Sequence, residues 1–194
     1  QPHVWTSPKQ AKIQVDNIVN TLSQASPQAK DAFTAAGKKY TDQLEDLDKW
    51  ASDSMSAVPE QDRVLFSSHD AFGYFSNEYG VKFIGSALSD FNHQQDATSS
   101  HIDEQVKKVR ESGAKAIFAE NSNNSKSIEA IARAAGVKAV TSDDALYGDS
   151  LGVPGSEGET YIGSIVHNIN TLVSAWDSNC LLYTSPSPRD QRGS

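Results

Sequence analysis

Cysteine is nearly absent from this sequence. Cys180 is the only one in 194 residues, which excludes an internal disulfide framework and any CxxC metal or redox motif. No apolar run approaches the roughly 18 residues that a membrane-spanning helix needs. Basic residues are in deficit: 17 Lys and Arg face 25 Asp and Glu, for a net charge of −8. That balance argues against nucleic acid or an anionic membrane surface as a partner. Several motif classes are also missing: GxGxxG, GxxxxGK[ST], HExxH, GxSxG and an EF-hand loop. Ser67-Ser68-His69-Asp70 is no serine-hydrolase signature, because neighbours on a strand point to opposite faces. What is present, 37% hydrophobic and 22% charged residues, suits a globular chain and excludes a disordered or collagen-like one.

The two ends are unusual. The chain opens Gln1-Pro2-His3-Val4-Trp5, with neither an initiator Met nor the charged and apolar regions of a signal segment. It reads as starting inside a longer protein, so localisation cannot be taken from this end. At the other end, helical periodicity stops after Trp176 and two prolines, Pro186 and Pro188, forbid its return. Residues 178–194 read as a non-native tail, of the kind left by read-through into an adapter or vector, and are excluded from fold reasoning.

Between the ends, Ser7 and Pro8 form a helix start, a capping hydroxyl followed by proline at the first helical position. Ile13, Val15, Ile18, Val19 and Leu22 continue that helix to about residue 24. Ser26-Pro27 repeats the signal, and Phe33, Gly37, Tyr40, Leu44, Leu47, Ala51 and Met55 then recur every three or four residues until Pro59. A helix over 26–58 would be a rod on the order of 45 Å long, a length suited to bracing two bodies.

After Pro59 the texture becomes short apolar runs alternating with helical patterns. Strands are expected at 64–66, 81–84, 114–119 and 137–140, helices at 71–79, 102–112, 125–135 and 160–176, and loops at 90–100 and 141–157. Strands alternating with crossover helices mean a parallel sheet covered on both faces, an α/β fold. The expected organisation is therefore a first piece at 1–25, a linking helix at 26–58, and an α/β body at 59–177.

In such folds functional groups sit beyond the C-terminal ends of the strands. His69 follows the first strand directly. Asp149 lies in the glycine-bearing loop Leu146-Tyr147-Gly148-Asp149-Ser150-Leu151-Gly152 after the last one, with Asp143 and Asp144 nearby. His3 stands four residues ahead of a helix cap. His93 and His101 read as solvated histidines of a polar loop, and His167 as a partly buried, hydrogen-bonded residue of the last helix. Imidazoles with one carboxylate form a mixed nitrogen and oxygen site suited to Zn²⁺ or Mn²⁺. Glu120 also ends a strand. It could orient a ligand imidazole from behind, cap the next helix, or, in a metallohydrolase, act as the base beside a metal-bound water.

Three ordered stretches carry a resemblance: Pro2-His3-Val4-Trp5-Thr6-Ser7-Pro8, Ser68-His69-Asp70-Ala71-Phe72-Gly73-Tyr74-Phe75, and Leu146-Tyr147-Gly148-Asp149-Ser150-Leu151. In order and spacing they resemble the solute-binding proteins of zinc/manganese ABC importers, over residues 1–177. The resemblance implies two α/β lobes joined by one rigid helix, a metal held between them by four side chains, and delivery of that metal to an ABC permease in the membrane. It implies a monomeric, non-enzymatic protein outside the cytoplasm, periplasmic or lipid-anchored at the cell surface, with no nucleic-acid partner. His3 resembles the second ligand, His69 the third and Asp149 the fourth. The first ligand, with most of the N-terminal lobe, would precede this chain. A histidine at the third position leans towards zinc over manganese. Surface adhesion or sensing by the same fold is the alternative role. Gln1, and the loop Ser89 to Ser100, depart from the family's usual pattern.

Overall fold

The computed structural model describes residues 2–88 and 99–176. A single 3-10 turn, Val4–Thr6, leads into helix α1, Pro8–Ala25. The expected cap is in place: the Ser7 hydroxyl accepts from the Gln10 N–H at 3.4 Å, and Pro8 opens the first turn. A second 3-10 turn, Pro27–Ala29, precedes helix α2, Lys30–Ser56. The helix proper is therefore shorter than the 26–58 rod, about 40 Å at 1.5 Å per residue. The first turn stays 3-10 because Ala29, at its end, departs from α-helical dihedrals (φ −101°, ψ 6°). Pro59, in an extended conformation, blocks continuation at the other end.

The short link between α1 and α2 folds them into an antiparallel hairpin. Contacts from Lys9 to Asp48, Lys12 to Glu45 and Val19 to Gly37 run in opposite directions along the two helices. Gly37 is what allows the close approach: a Cβ there would run into the Val19 side chain.

The remainder is a four-stranded parallel sheet. Its strands are β1 (Val64–Ser67), β2 (Lys82–Ser86), β3 (Ala116–Phe118) and β4 (Lys138–Val140), in the order β2-β1-β3-β4. The helices between and after them are α3 (Gly73–Tyr79), α4 (Ser99–Ser112), α5 (Lys126–Ala135) and α6 (Tyr161–Trp176). The chain is thus α/β, with a parallel sheet flanked by helices and a long helix before it, as the alternation of patterns predicts. Strand boundaries are tighter than expected at β3 and β4, and α4 begins inside the segment read as loop 90–100.

Side chains alternate across the sheet, as a period of two requires. Leu65, Ala116 and Phe118 pack with Leu44, Met55, Phe75, Ile169 and Trp176, from α2, α3 and α6. Phe66 and Ile117 point the other way, against Val106, Val109, Ile128 and Ile131 of α4 and α5. Each face is covered, which is why the central strands β1 and β3 are buried along their whole length, while the edge strands β2 and β4 each open on an exposed lysine. The Trp176 indole N–H donates to the Val64 carbonyl at 2.9 Å, tying the end of α6 to the start of β1.

The strand order carries the functional consequence. From β1 the chain moves outward to β2, then returns to place β3 on β1's other side. This reversal leaves a crevice beyond the C-terminal ends of β1 and β3, where open α/β sheets bind ligands.

Candidate metal centre

His69 stands two residues past the end of β1, at that crevice. It is 4% exposed. Its backbone is fixed locally: the Ser67 hydroxyl donates to the His69 carbonyl at 2.7 Å, and the His69 N–H donates to Glu120 Oε2 at 2.8 Å. Asp149 comes from the loop after β4. Leu146 zips that loop onto the extension of β3, pairing in parallel with Glu120 through Leu146 N–H to Ala119 O and Asn121 N–H to Leu146 O, both 2.9 Å. His3 arrives from the segment before α1. The three meet: His69 Nε2 lies 3.0 Å from Asp149 Oδ2, and His3 Nε2 lies 3.3 Å from Asp149 Oδ1. The two imidazole rings stand edge to face with centroids 5.2 Å apart.

One donor atom from each of the three residues falls within 4.8 Å of the others, and no other trio of His, Cys, Asp or Glu among the described residues does so. Side chains brought together from positions 3, 69 and 149 therefore form one cluster with two imidazoles and one carboxylate. Asp149 is the accessible member, with 38% of its side chain exposed.

Glu120 explains how His69 is aimed. Its carboxylate is fully buried and accepts from His69 Nδ1 at 2.9 Å. A proton held on Nδ1 by a carboxylate leaves Nε2 as the nitrogen facing Asp149, the arrangement that fixes tautomer and ring orientation in metal-binding histidines. Of the roles left open for Glu120, orienting an imidazole is the one the geometry displays. It does not cap α5, whose N-terminus begins at Ser125. Nor does it face the open side of the cluster, where a hydrolytic base would have to stand. Gly148 lies against the second oxygen of Glu120, and a Cβ at 148 would collide with it. The glycine next to the acidic residue is thus a steric requirement of the buried carboxylate.

Burial alone would lower the His69 pKa. The hydrogen bond and charge of Glu120, joined by the charge of Asp149, outweigh it and hold the imidazole above its ordinary 6.5.

The remaining candidates fall elsewhere. His101 is half-buried on α4, outside the cluster and less solvated than the sequence suggests. His167 is buried as expected; its Nε2 lies 3.0 Å from the Ala145 carbonyl and its Nδ1 3.1 Å from Glu157. Asp143 and Asp144 form a 3-10 turn before the loop. His93, Cys180 and residues 178–194 lie outside the described residues. Two supports have no expectation behind them. The Trp5 indole donates to the Gly148 carbonyl at 2.8 Å, joining the segment of His3 to that of Asp149. The Tyr161 hydroxyl donates to the Trp5 carbonyl at 2.7 Å.

A parallel sheet with imidazole and carboxylate donors gathered at its switch point has the make-up of a site for a metal cation. The chain belongs to the family described as the periplasmic component A of the zinc-uptake complex, which matches residues 1–175. It is 40% identical over 176 residues to the manganese-binding lipoprotein MntA of Bacillus subtilis, covering 90% of this chain and 57% of that protein. It is 32% identical, also over 176 residues, to the zinc-binding protein TroA of Treponema pallidum, covering 90% of this chain and 56% of that protein. The solved structure of the periplasmic zinc-binding protein TroA from Treponema pallidum superposes with a TM-score of 0.81 at 30% identity, over 90% of this chain and 63% of that one. The chain therefore spans little more than half the length of these relatives.

Proposed function

We propose that this chain is the metal-holding part of an extracytoplasmic solute-binding protein that captures a divalent transition metal and delivers it to an ABC permease. The observation that carries this reading is the convergence of His3, His69 and Asp149, with donor atoms within 4.8 Å, and with Glu120 buried behind His69. Two imidazoles and one carboxylate fit Zn²⁺ and accommodate Mn²⁺, with the imidazole share favouring zinc. The relatives named for manganese and for zinc span the same pair of cargoes. The ligands bind metal in their deprotonated forms, so acid competes for the site and capture releases protons. In this reading the protein acts as a monomeric binding protein that docks on the permease.

The test is a competitive Zn²⁺ and Mn²⁺ titration of the full chain beside His69→Ala and Asp149→Ala. One-to-one binding that is lost in both variants is the expected result, with Zn²⁺ displacing Mn²⁺. Binding untouched by either substitution would show that both residues are structural.

A further inference from the structure

Asp149 is the one ligand candidate carried by a loop and left open to solvent, so something must hold that loop in register with His69. The β3 extension does so from one side, through Leu146. From the other side a single buried side chain does it. Asn168, on the second turn of α6, is 2% exposed. Its Oδ1 accepts from the Tyr147 N–H at 2.8 Å, and its Nδ2 donates to the Tyr147 carbonyl at 2.9 Å. Both polar groups of one residue, two positions before Asp149, are thereby met by one carboxamide. The side chain imitates a neighbouring strand at a place where no strand runs. The next carbonyl along, that of Gly148, is taken by the Trp5 indole.

We infer that Asn168 is a positioning residue for the Asp149 carboxylate and, through it, a determinant of which metal the site prefers. The inference rests on the metal-capture reading above. Its chemical basis is the unequal make-up of the cluster. His3 and His69 supply imidazole, which suits zinc, while Asp149 supplies the only carboxylate of the three, the donor that suits manganese. His69 is aimed by Glu120 through two hydrogen bonds in which Asn168 takes no part. Loosening the loop at Tyr147 therefore disturbs the oxygen ligand first and reaches the imidazoles only at one remove, through the Trp5–Gly148 hydrogen bond and the contact of Gly148 with Glu120. Mn²⁺ depends more on that oxygen than Zn²⁺ does.

The experiment measures Zn²⁺ and Mn²⁺ affinities of the full chain, wild type against Asn168→Ala and Asn168→Asp. The visible spectrum of the Co²⁺-loaded protein reports coordination geometry, and apo melting is followed in parallel. Asn168→Asp keeps the size of the side chain and the acceptor for Tyr147 N–H but turns the donor into a buried carboxylate oxygen facing the Tyr147 carbonyl, so it breaks the same clamp without leaving a cavity if the alanine variant does not fold. Trp176→Phe is the control: it removes a buried hydrogen bond to the sheet from the far end of the same helix. The expected result is a fall in Mn²⁺ affinity of about 10- to 100-fold, the range for losing a group that orients a ligand. Zn²⁺ affinity falls by less, the Co²⁺ bands change, and neither selectivity nor spectrum moves in Trp176→Phe. Equal losses for both ions, or an unchanged spectrum with lowered melting, would make Asn168 merely structural and overturn the inference. A wild-type chain that binds neither ion would overturn the metal-capture reading itself.

Discussion

The helical hairpin and the sheet body hold themselves together in different ways. In the body, Phe66, Ile117, Phe118 and Trp176 are completely buried, and both faces of the sheet are covered. In the hairpin, α1 buries only Pro8 and Ala11, while Ile13, Ile18 and Leu22 remain 53%, 56% and 43% exposed. Its two helices are joined by the tight contact at Gly37, by Ala11 and Val15 of α1 in the apolar cluster that holds Leu44 and Leu47 of α2, and by ion pairs open to water, such as Lys12 with Glu45. Every ligand candidate is mounted on or beside the body. The lesson is that the cluster of His3, His69 and Asp149 rests on the closely packed part of the molecule, while the outer face of α1 contributes little packing.

Substitutions in each region should separate the two. The largest stability loss is expected for Phe66→Ala, about 3–5 kcal/mol by denaturant unfolding, because a large side chain at zero exposure leaves a void between β1 and α4. A loss below 1 kcal/mol would show the body to be no better packed than the hairpin.

Next comes Glu120→Gln, which keeps the shape but removes the buried charge behind His69. Metal affinity should fall by about 10- to 100-fold, as for other groups that orient a ligand imidazole. The pH dependence gives a second readout. Because the His69 pKa is raised in the metal-free protein, its protonated form stabilises that state below the ordinary value of 6.5. This contribution is lost as pH climbs through the higher folded value. Metal affinity should rise over the same window, since the cation replaces the proton. In Glu120→Gln both transitions should move to lower pH; Zn²⁺ titrations and apo melting across a pH series measure them. A window that stays where it was would separate Glu120 from the tuning of His69.

Smaller again is Gly37→Ala. It gains helix propensity but drives a methyl into Val19, so a net loss of about 1–3 kcal/mol is expected from overpacking, with metal affinity unchanged. Unchanged or increased stability would mean the two helices can separate there without penalty. The smallest effect belongs to Ile18→Ser, on the exposed face of α1, within about 0.5 kcal/mol of wild type. A larger loss in melting would show that the face is covered in the protein as it works.

The same contrast explains what could be read from the sequence. The alternation of apolar runs with helical patterns announces the parallel sheet, and the placing of His69 and Asp149 after strands announces the crevice, because both follow from local periodicity and chain order. The end of α2 is legible in Pro59. What escapes is contact between distant positions. Nothing near Asn168 signals that it clamps Tyr147, 21 residues away, and nothing near Trp5 signals Gly148, 143 residues away. Helical spacing shows that α1 and α2 each have an apolar stripe, but not that they face each other. Gly37 within the stripe of α2 is the only local mark of that approach. Glu120 falls between these cases: its place after β3 is visible, but its choice of His69 depends on which strands become neighbours.

The proposed site holds its cation with two imidazoles and one carboxylate, from His3, His69 and Asp149. X-ray absorption at the zinc edge of the Zn²⁺-loaded full chain tests it most directly, because it counts imidazole ligands and distinguishes sulfur from nitrogen or oxygen. At least two imidazoles are expected, with the rest of the shell oxygen or nitrogen, and one imidazole fewer in His69→Ala. A shell containing sulfur, or an imidazole count unchanged by His69→Ala, would contradict it.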